Sequence, residues 1–307
     1  MLSKLNPIVT KNLEFKYKKG AILLKDINLS VSKGSIYGFL GPNGAGKTTT
    51  MRLLLGLLKS NAGSVELFGK PLPGKPSAIF ANIGALVEQP SLYEHLTGYD
   101  NLDITRRLKG LDRKSIDNVL ETVNLTAVAQ KKVKAYSLGM KQRLGIALAL
   151  LGEPELLILD EPVNGLDPAG MVEIRNLILK LNQERSMTIF ISSHLLSEIQ
   201  RIATEISILN MGQVIFQGTI ADLESIQHSR LHISIDTEDN ARAFELLKTH
   251  YQVTLEDKHL SASVTSKTDI GDIISTLVNN GIRVYEAFPA ESFETLFLNL
   301  TKDHLLQ

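Results

Sequence analysis

A chain of 307 residues supplies material for about two domains at roughly 150 residues each. Its 33 lysines and arginines balance 33 aspartates and glutamates, so no excess charge argues for nucleic acid or an acidic membrane surface as a partner. A hydrophobic fraction of 43% with 21% charged residues excludes the disordered class, and the absence of cysteine excludes disulfides, thiolate nucleophiles and cysteine-ligated zinc or iron–sulfur centres.

The first fifteen residues, MLSKLNPIVTKNLEF, contain no secretory apolar core, and the richest apolar stretch, LGIALALLG at 144–152, is too short to span a bilayer. The chain is therefore expected to have no transmembrane segment of its own and to stay in the cytosol, with any membrane-crossing part supplied by a partner.

In chain order, the runs 8–17 and 23–31 have no helix between them and read as antiparallel strands. Short aliphatic runs then alternate with helical patterns, as expected for a largely parallel sheet covered by helices. These strand runs are 35–40, 64–68, 83–87, 156–160, 188–192 and 205–209, with 213–217 forming a hairpin. The long interval between the runs at 83 and 156 carries helical periodicity at 99–109, 113–123 and 138–151, which predicts a helical insertion over about 90–152.

Residues 219–307 hold 14 acidic and 7 basic side chains, against 19 and 26 in the first 218, and contain only two glycines, Gly271 and Gly281. The change in sign and glycine density predicts a boundary near 219–227, giving domains 1–222 and 223–307. The tail reads as strand 231–236, helix 240–250, strands near Gln252 and Leu260, helix 270–279, strand 283–287 and helix 292–300. That β-α-β-β-α-β order suggests a small α+β module of ferredoxin-like type, without a phosphate loop or nucleophile arrangement of its own. Its simplest reading is a regulatory or dimer-supporting appendage.

The run GPNGAGKT, comprising Gly41, Pro42, Asn43, Gly44, Ala45, Gly46, Lys47 and Thr48, follows an apolar strand and precedes the helical pattern TTMRLLLGLL. Glycines let backbone N–H groups turn inward around phosphate oxygens while the helix directs its positive end at the same anion. Lys47 then suits the β- and γ-phosphates, Thr48 offers a hydroxyl to Mg²⁺, and Thr49 is placed to donate to an α-phosphate oxygen. A plain glycine turn is disfavoured by the strand–loop–helix context.

Residues 156–162, LLILDEP, form an apolar strand ending in two carboxylates, where open α/β sheets bind ligands. Asp160 suits Mg²⁺ held through its water shell, and Glu161 suits a base or orienting group for the attacking water.

These motifs, followed and preceded by YSLGMKQR at 136–143, NGLD at 164–167 and ISSH at 191–194, occur in the order that resembles the ATP-binding subunits of ABC transporters, over essentially 8–218. The resemblance implies a P-loop NTPase fold of the ABC nucleotide-binding type: a mainly parallel sheet, an antiparallel β subdomain and a helical subdomain, here with the small C-terminal α+β domain added. It implies ATP and Mg²⁺ as cofactors, a homodimer or heterodimer of ATP-binding subunits, and integral membrane permease subunits that hold the chain at the inner face of the membrane.

Within the signature YSLGM only Ser137 and Gly139 match the family consensus, which implies that they close over ATP bound by the opposite subunit. Ser137 also suits the N-cap of the following helix. The resemblance assigns His194 to the γ-phosphate and to the geometry around Glu161, Asp167 to the partner's phosphate loop, and Tyr17, in LEFKYKKG, to stacking on adenine. Tyr37 competes for the adenine role, but its place inside the strand feeding the loop marks it as core.

The family's glutamine position falls in IGALVEQP. Aligning from Ile83 and Gly84 places Glu88 there, as a catalytic and metal-facing residue, whereas a one-residue shift gives Gln89 that place. A glutamate offers only acceptors and a full charge where an amide offers one oxygen and two donors. Glu88 followed by PSLYEHLTGYDNL resembles the subgroup that protects bacteria from lantibiotic or bacitracin-type peptides. The expected function is thus an ATPase subunit of a peptide-antibiotic exporter. The alternatives are an ABC-2 type exporter for another substrate and a soluble non-transport ABC ATPase, the latter disfavoured by a single motif set without coiled coils or metal modules. No guanine-reading NKxD is present to support a GTPase.

Overall fold

Strand β4 (Ile36–Leu40) is buried along its whole length because both of its faces are covered, which is why it reads as an unbroken apolar run. It lies inside a six-stranded sheet with the order β11-β10-β4-β9-β8-β7. The neighbours are β7 (Ile83–Leu86), β8 (Leu156–Leu159), β9 (Thr188–Ser193), β10 (Glu205–Asn210) and β11 (Gln213–Thr219). Strands β10, β4, β9, β8 and β7 pair in parallel, so the loops at their C-terminal ends gather on one edge. The computed structural model describes residues 6–17, 20–72, 76–223, 232–256, 259–264 and 266–289. The chain forms two units, Met1–Gly218 and Thr219–Gln307.

A second sheet of the first unit has the order β2-β1-β5-β6, built from β1 (Ile8–Lys16), β2 (Ile22–Ile27), β5 (Ala62–Leu67) and β6 (Lys70–Leu72), with the short β3 (Ser30–Val31) on β1. All of these pairs are antiparallel. The run at 64–68, expected among the parallel strands, belongs here instead, pairing Ile8 with Leu67 and Thr10 with Val65. The physical reason is that its core residues Val65 and Leu67 alternate with the half-buried Ser64 and Glu66, so only one face is fully covered. The turn Phe68–Gly69, with φ of 49° and 71°, leads straight into β6 with no helical crossover.

Helix α1 (Lys47–Leu54) buries Met51, Leu53 and Leu54 in a core that joins the two sheets, with Leu13 and Leu24 from one and Phe39 and Phe190 from the other. Tyr37 stacks on Phe190 at 5.5 Å between centroids, so its ring is core. A short helix, α2 (Pro76–Phe80), precedes β7. The helical part consists of α3 (Gly98–Lys109), α4 (Lys114–Thr122) and α5 (Leu138–Leu150). Thr97 and Asp100 form a reciprocal capping box at the start of α3, and Gly110 closes its end at φ 67°. Helices α6 (Pro168–Arg185) and α7 (Leu196–Gln200) complete this unit, α6 beginning with Pro168 behind the capping Asp167.

In the second unit, strands β12 (His232–Thr237), β13 (Gln252–Glu256), β14 (His259–Ser263) and β15 (Val284–Pro289) form an antiparallel sheet ordered β13-β14-β12-β15. Helices Asn240–Leu247 and Lys267–Asn279 contribute Leu247, Ile273 and Leu277 to a separate core with Ile233, Ile235 and Leu260. This is a split β-α-β arrangement, with β14 inserted between β12 and β13. The helix expected at 292–300 lies outside the described residues. Among the described residues no helix is long and apolar enough to cross a membrane.

Candidate active site

The glycine-rich loop Gly41–Gly46 runs between β4 and α1. Gly46 caps α1 at φ 111°, a conformation that L side chains rarely adopt, and a Cβ there would lie 2.4 Å from Leu24 Cδ2. Glycine therefore lets the backbone turn sharply enough to aim the first N–H groups of α1 into the loop. Lys47 is 6% exposed, and its ammonium donates to the carbonyls of Gly41 at 2.7 Å and Pro42 at 3.3 Å. The same Nζ lies 3.1 Å from Glu161 Oε1. Thr49 is buried in the first turn of α1.

Strand β8 delivers the two acids. Asp160 N–H donates to Leu86 O at 2.8 Å, which fixes the backbone at the strand end. The Asp160 carboxylate accepts from Thr48 Oγ1 at 2.7 Å and from Ser192 Oγ at 2.5 Å. At 4% exposure the carboxylate is buried, and both of its oxygens accept hydrogen bonds. Ser192 Oγ also accepts from the Glu161 N–H at 2.9 Å, and this serine, which sequence reasoning passed over, ties the two acids together. Its signal lay in the ISSH run, one residue before the pair Ser193–His194.

Glu161 sits at φ 47°, a strained setting for a non-glycine residue that costs on the order of 1–3 kcal/mol and that recurs at functional sites. Its Oε2 is held by His194 Nδ1 at 2.8 Å, while Oε1 is buried and accepts no hydrogen bond, Lys47 approaching it without alignment. Loop, Thr48, Asp160, Glu161 and His194 thus converge at the C-terminal edge of the parallel sheet. They provide an anion cradle, a pair of hard oxygen donors suited to Mg²⁺, and one carboxylate oxygen ready to accept. Among the described residues no cluster of three or more His, Asp or Glu makes an all-protein metal cage.

The other expected residues stand apart from this cluster. Ser137 caps α5, accepting from Met140 N at 3.2 Å, and Gly139 lies in the first turn of that helix. Leu138, 48% exposed, reaches toward Gly165, so the start of α5 packs beside the 164–167 turn. Asp167 Oδ1 accepts from Gly170 N at 2.9 Å as the cap of α6. Tyr17 is 49% exposed, held edge-on against Phe15 at 4.9 Å. Glu88 is exposed at φ 66°, and its carboxylate pairs with Arg52 on α1, not with Thr48 or Asp160.

Residues 24–164 match the family model described as ABC transporter. Over 281 residues the chain is 41% identical to the bacitracin transport ATP-binding protein BcrA of Enterococcus faecalis, an alignment covering 90% of each chain. The chain belongs to the ABC transporter family. It is also 40% identical over 217 residues to the lantibiotic transport ATP-binding protein SrtF of Streptococcus pyogenes, covering 71% of this chain and 93% of the relative. Among solved structures, cbiO1 from Clostridium perfringens, part of the ABC transporter complex cbiONQ, superposes with a TM-score of 0.67 at 29% identity, covering 72% of this chain and 91% of that one. A dimeric post-hydrolysis ATP-binding cassette bound to ADP and Pi matches at 0.63 and 26% identity, covering 69% and 98% respectively. The fold is that of a P-loop NTPase cassette, and this chain is an ATPase of the ABC family. ATP-binding subunits of this family bind ATP, dimerise and work with membrane permease subunits.

Proposed function

We propose that this chain hydrolyses Mg·ATP to drive export of a bacitracin- or lantibiotic-like peptide through separate permease subunits, from the cytoplasmic face of the membrane. Relatives at about 40% identity that are named for bacitracin and lantibiotic transport carry the substrate class. The convergence of Thr48, Asp160, Glu161 and His194 on the phosphate loop carries the chemistry.

In this reading Tyr17 stacks on adenine, and the backbone of Gly41, Pro42, Asn43, Gly44, Ala45 and Gly46 encloses the phosphates. Lys47 neutralises the β- and γ-oxygens, and Thr49 reaches the α-phosphate. Thr48 and Asp160 hold Mg²⁺, with Glu88 joining from the adjoining loop; when bound, the ion withdraws charge from the phosphate oxygens. Glu161 Oε1 accepts the hydrogen bond of the attacking water, while His194 fixes the other carboxylate oxygen and faces the γ-phosphate. Hydrolysis needs two copies. Ser137 and the backbone of Gly139, at the N-terminus of α5 in one copy, close on the γ-phosphate held by the other, and Asp167 meets the opposite phosphate loop. Because those contacts exist only in the closed pair, ATP shifts the equilibrium toward closure.

Glu161→Gln tests the chemistry: the variant retains ATP binding and accumulates as a closed dimer, with turnover reduced about 100-fold or more. A wild-type monomer with undiminished turnover contradicts the reading. Deleting the gene and challenging the cells with bacitracin, a lantibiotic and unrelated exported compounds tests the substrate class. Sensitivity confined to an unrelated compound points instead to an exporter of another kind.

A further inference from the structure

We infer that Arg175 and Glu198 are positioning residues that set the His194 side chain against Glu161, an inference that rests on the catalytic reading of those two residues above. Arg175 lies in the middle of α6 and Glu198 on α7. The guanidinium donates through Nη2 to both carboxylate oxygens, at 3.0 and 2.8 Å, and through Nε to Oε2 at 3.3 Å. Both side chains are only 15–16% exposed, so this differs from a solvated surface pair. A planar fork on a carboxylate fixes direction as well as distance, which a lysine does not do.

The pair closes a ring in the chain. From Glu161 the backbone passes through the turn 164–167, capped by Asp167, into α6 and Arg175. From Arg175 the ion pair crosses to Glu198 on α7, whose preceding turn presents His194. His194 Nδ1 then returns to Glu161 Oε2 at 2.8 Å. His194 is thus held from two sides: from the end of β9, where Ser192 Oγ accepts from the Glu161 N–H at 2.9 Å and Ser193 Oγ from the Leu195 N–H at 2.9 Å, and from α7, which the Arg175–Glu198 pair fastens to α6.

Apolar packing alone does not set that helix. Leu196 and Ile199 are buried, and Ile199 Cγ2 fills the space beside Gly38, where a Cβ would be 2.3 Å away. Such contacts hold α7 on the sheet but are non-directional. The residues of α7 other than those anchors are partly exposed, and to this apolar footing the fork from Arg175 adds a directional contact at Glu198. A misplacement on the scale of 1 Å at a reacting group costs up to about 100-fold in rate.

The experiment uses the full-length protein with ¹³C-labelled histidine, the His194 ring resonance being assigned by its loss in His194→Gln. Arg175→Gln and Glu198→Gln are expected to move or broaden that resonance and to lower kcat about 10- to 100-fold, with KM for ATP within about twofold. The charge-swapped pair Arg175→Glu with Glu198→Arg recovers part of both. Arg106→Gln, which breaks a comparably sheltered pair with Asp103 in the helical part, is the control and leaves both unchanged. Folded single variants with a wild-type His194 resonance and a wild-type kcat overturn the inference. If the glutamine variants do not fold, Arg175→Lys, which keeps the charge but loses the fork, takes their place under the same criteria. Failure of the underlying catalytic reading looks different: His194→Gln and Glu161→Gln would retain turnover while Arg175→Gln still moves the resonance.

Discussion

Thr48 Oγ1 donates to Asp160 Oδ2 at 2.7 Å across 112 residues of sequence, joining the first turn of α1 to the end of β8. The hydroxyl and the carboxylate hold each other in place where, on the proposed reading, Thr48 would offer its hydroxyl to Mg²⁺ and Asp160 would hold the ion through its water shell. Asp160→Asn keeps the shape of the side chain while removing its charge. The expected result is near-wild-type stability, since Ser192 and Thr48 still find partners, together with an ATPase rate reduced about 100-fold or more. Raising Mg²⁺ recovers only part of that rate. Steady-state turnover over a magnesium series checks it, and an unchanged rate at limiting Mg²⁺ counts against the assignment.

The loop itself can be probed by two alanines with different expected costs. Gly44 has φ 83° with open space around its Cβ position, so Gly44→Ala pays only the left-handed backbone penalty, about 1 kcal/mol. Gly46 combines φ 111° with the encounter with Leu24, so Gly46→Ala adds overpacking and totals about 3 kcal/mol or more. Chemical denaturation of both variants should rank them in that order. Equal losses would mean that the Leu24 side chain yields freely.

The phosphate loop and the acids of β8 were legible in the sequence because their chemistry is local: eight consecutive residues, or one strand and its end. The same holds for the capping role of Ser137, set by a helix that begins at the next residue. What was not legible depends on which distant segments meet. The chain reads Val65 and Leu67 as a strand, but only pairing with β1 places them in the antiparallel sheet; the alternation with Ser64 and Glu66 was the available clue. Ser192 bonding to Asp160, and Arg175 forking Glu198, require a parallel strand pair and a helix pair to be docked first. Nor does a sequence show that Arg52, five residues after Lys47, faces Glu88.

Alkaline pH should act on the core through Tyr37. Burial pushes its phenol well above the ordinary tyrosine range, an effect partly offset by the hydrogen bond with Ser207, and the hydroxyl also reaches Gln217 at 3.2 Å. In the unfolded chain the same phenol ionises near pH 10. Above that pH the unfolded state binds fewer protons than the folded one, so stability falls as pH rises, by up to about 1.4 kcal/mol per unit for one such group. Below about pH 9 the group contributes no slope. Tyr37→Phe should lose about 1 kcal/mol at neutral pH, from the lost hydroxyl hydrogen bonds, Ser207 and Gln217 still bonding each other at 3.3 Å, yet show a shallower decline between pH 9 and 11. Tyr136 and Tyr251, also raised by burial, retain their share of the slope. Urea titrations at four pH values compare the two proteins; parallel declines would remove Tyr37 as the cause.

Glu88 presents the sharpest choice within the site. Its carboxylate is held by Arg52, and its backbone, at φ 66°, sits in the left-handed region that non-glycine residues seldom adopt. The pair is exposed, 34% and 58%, and such ion pairs are worth at most about 1 kcal/mol, little enough for nucleotide and Mg²⁺ to outbid. On the Glu88 alignment, Glu88→Ala should lower kcat by about 10-fold or more, and Glu88→Gln by less, because the amide keeps one oxygen acceptor. Gln89→Ala should stay within about twofold. Arg52→Gln should leave stability within about 1 kcal/mol and free Glu88 without abolishing turnover. Measured side by side at saturating Mg·ATP, these four rates separate the two registers: a dominant loss in Gln89→Ala moves the metal-facing role one residue along and leaves Glu88 as a partner of Arg52 alone.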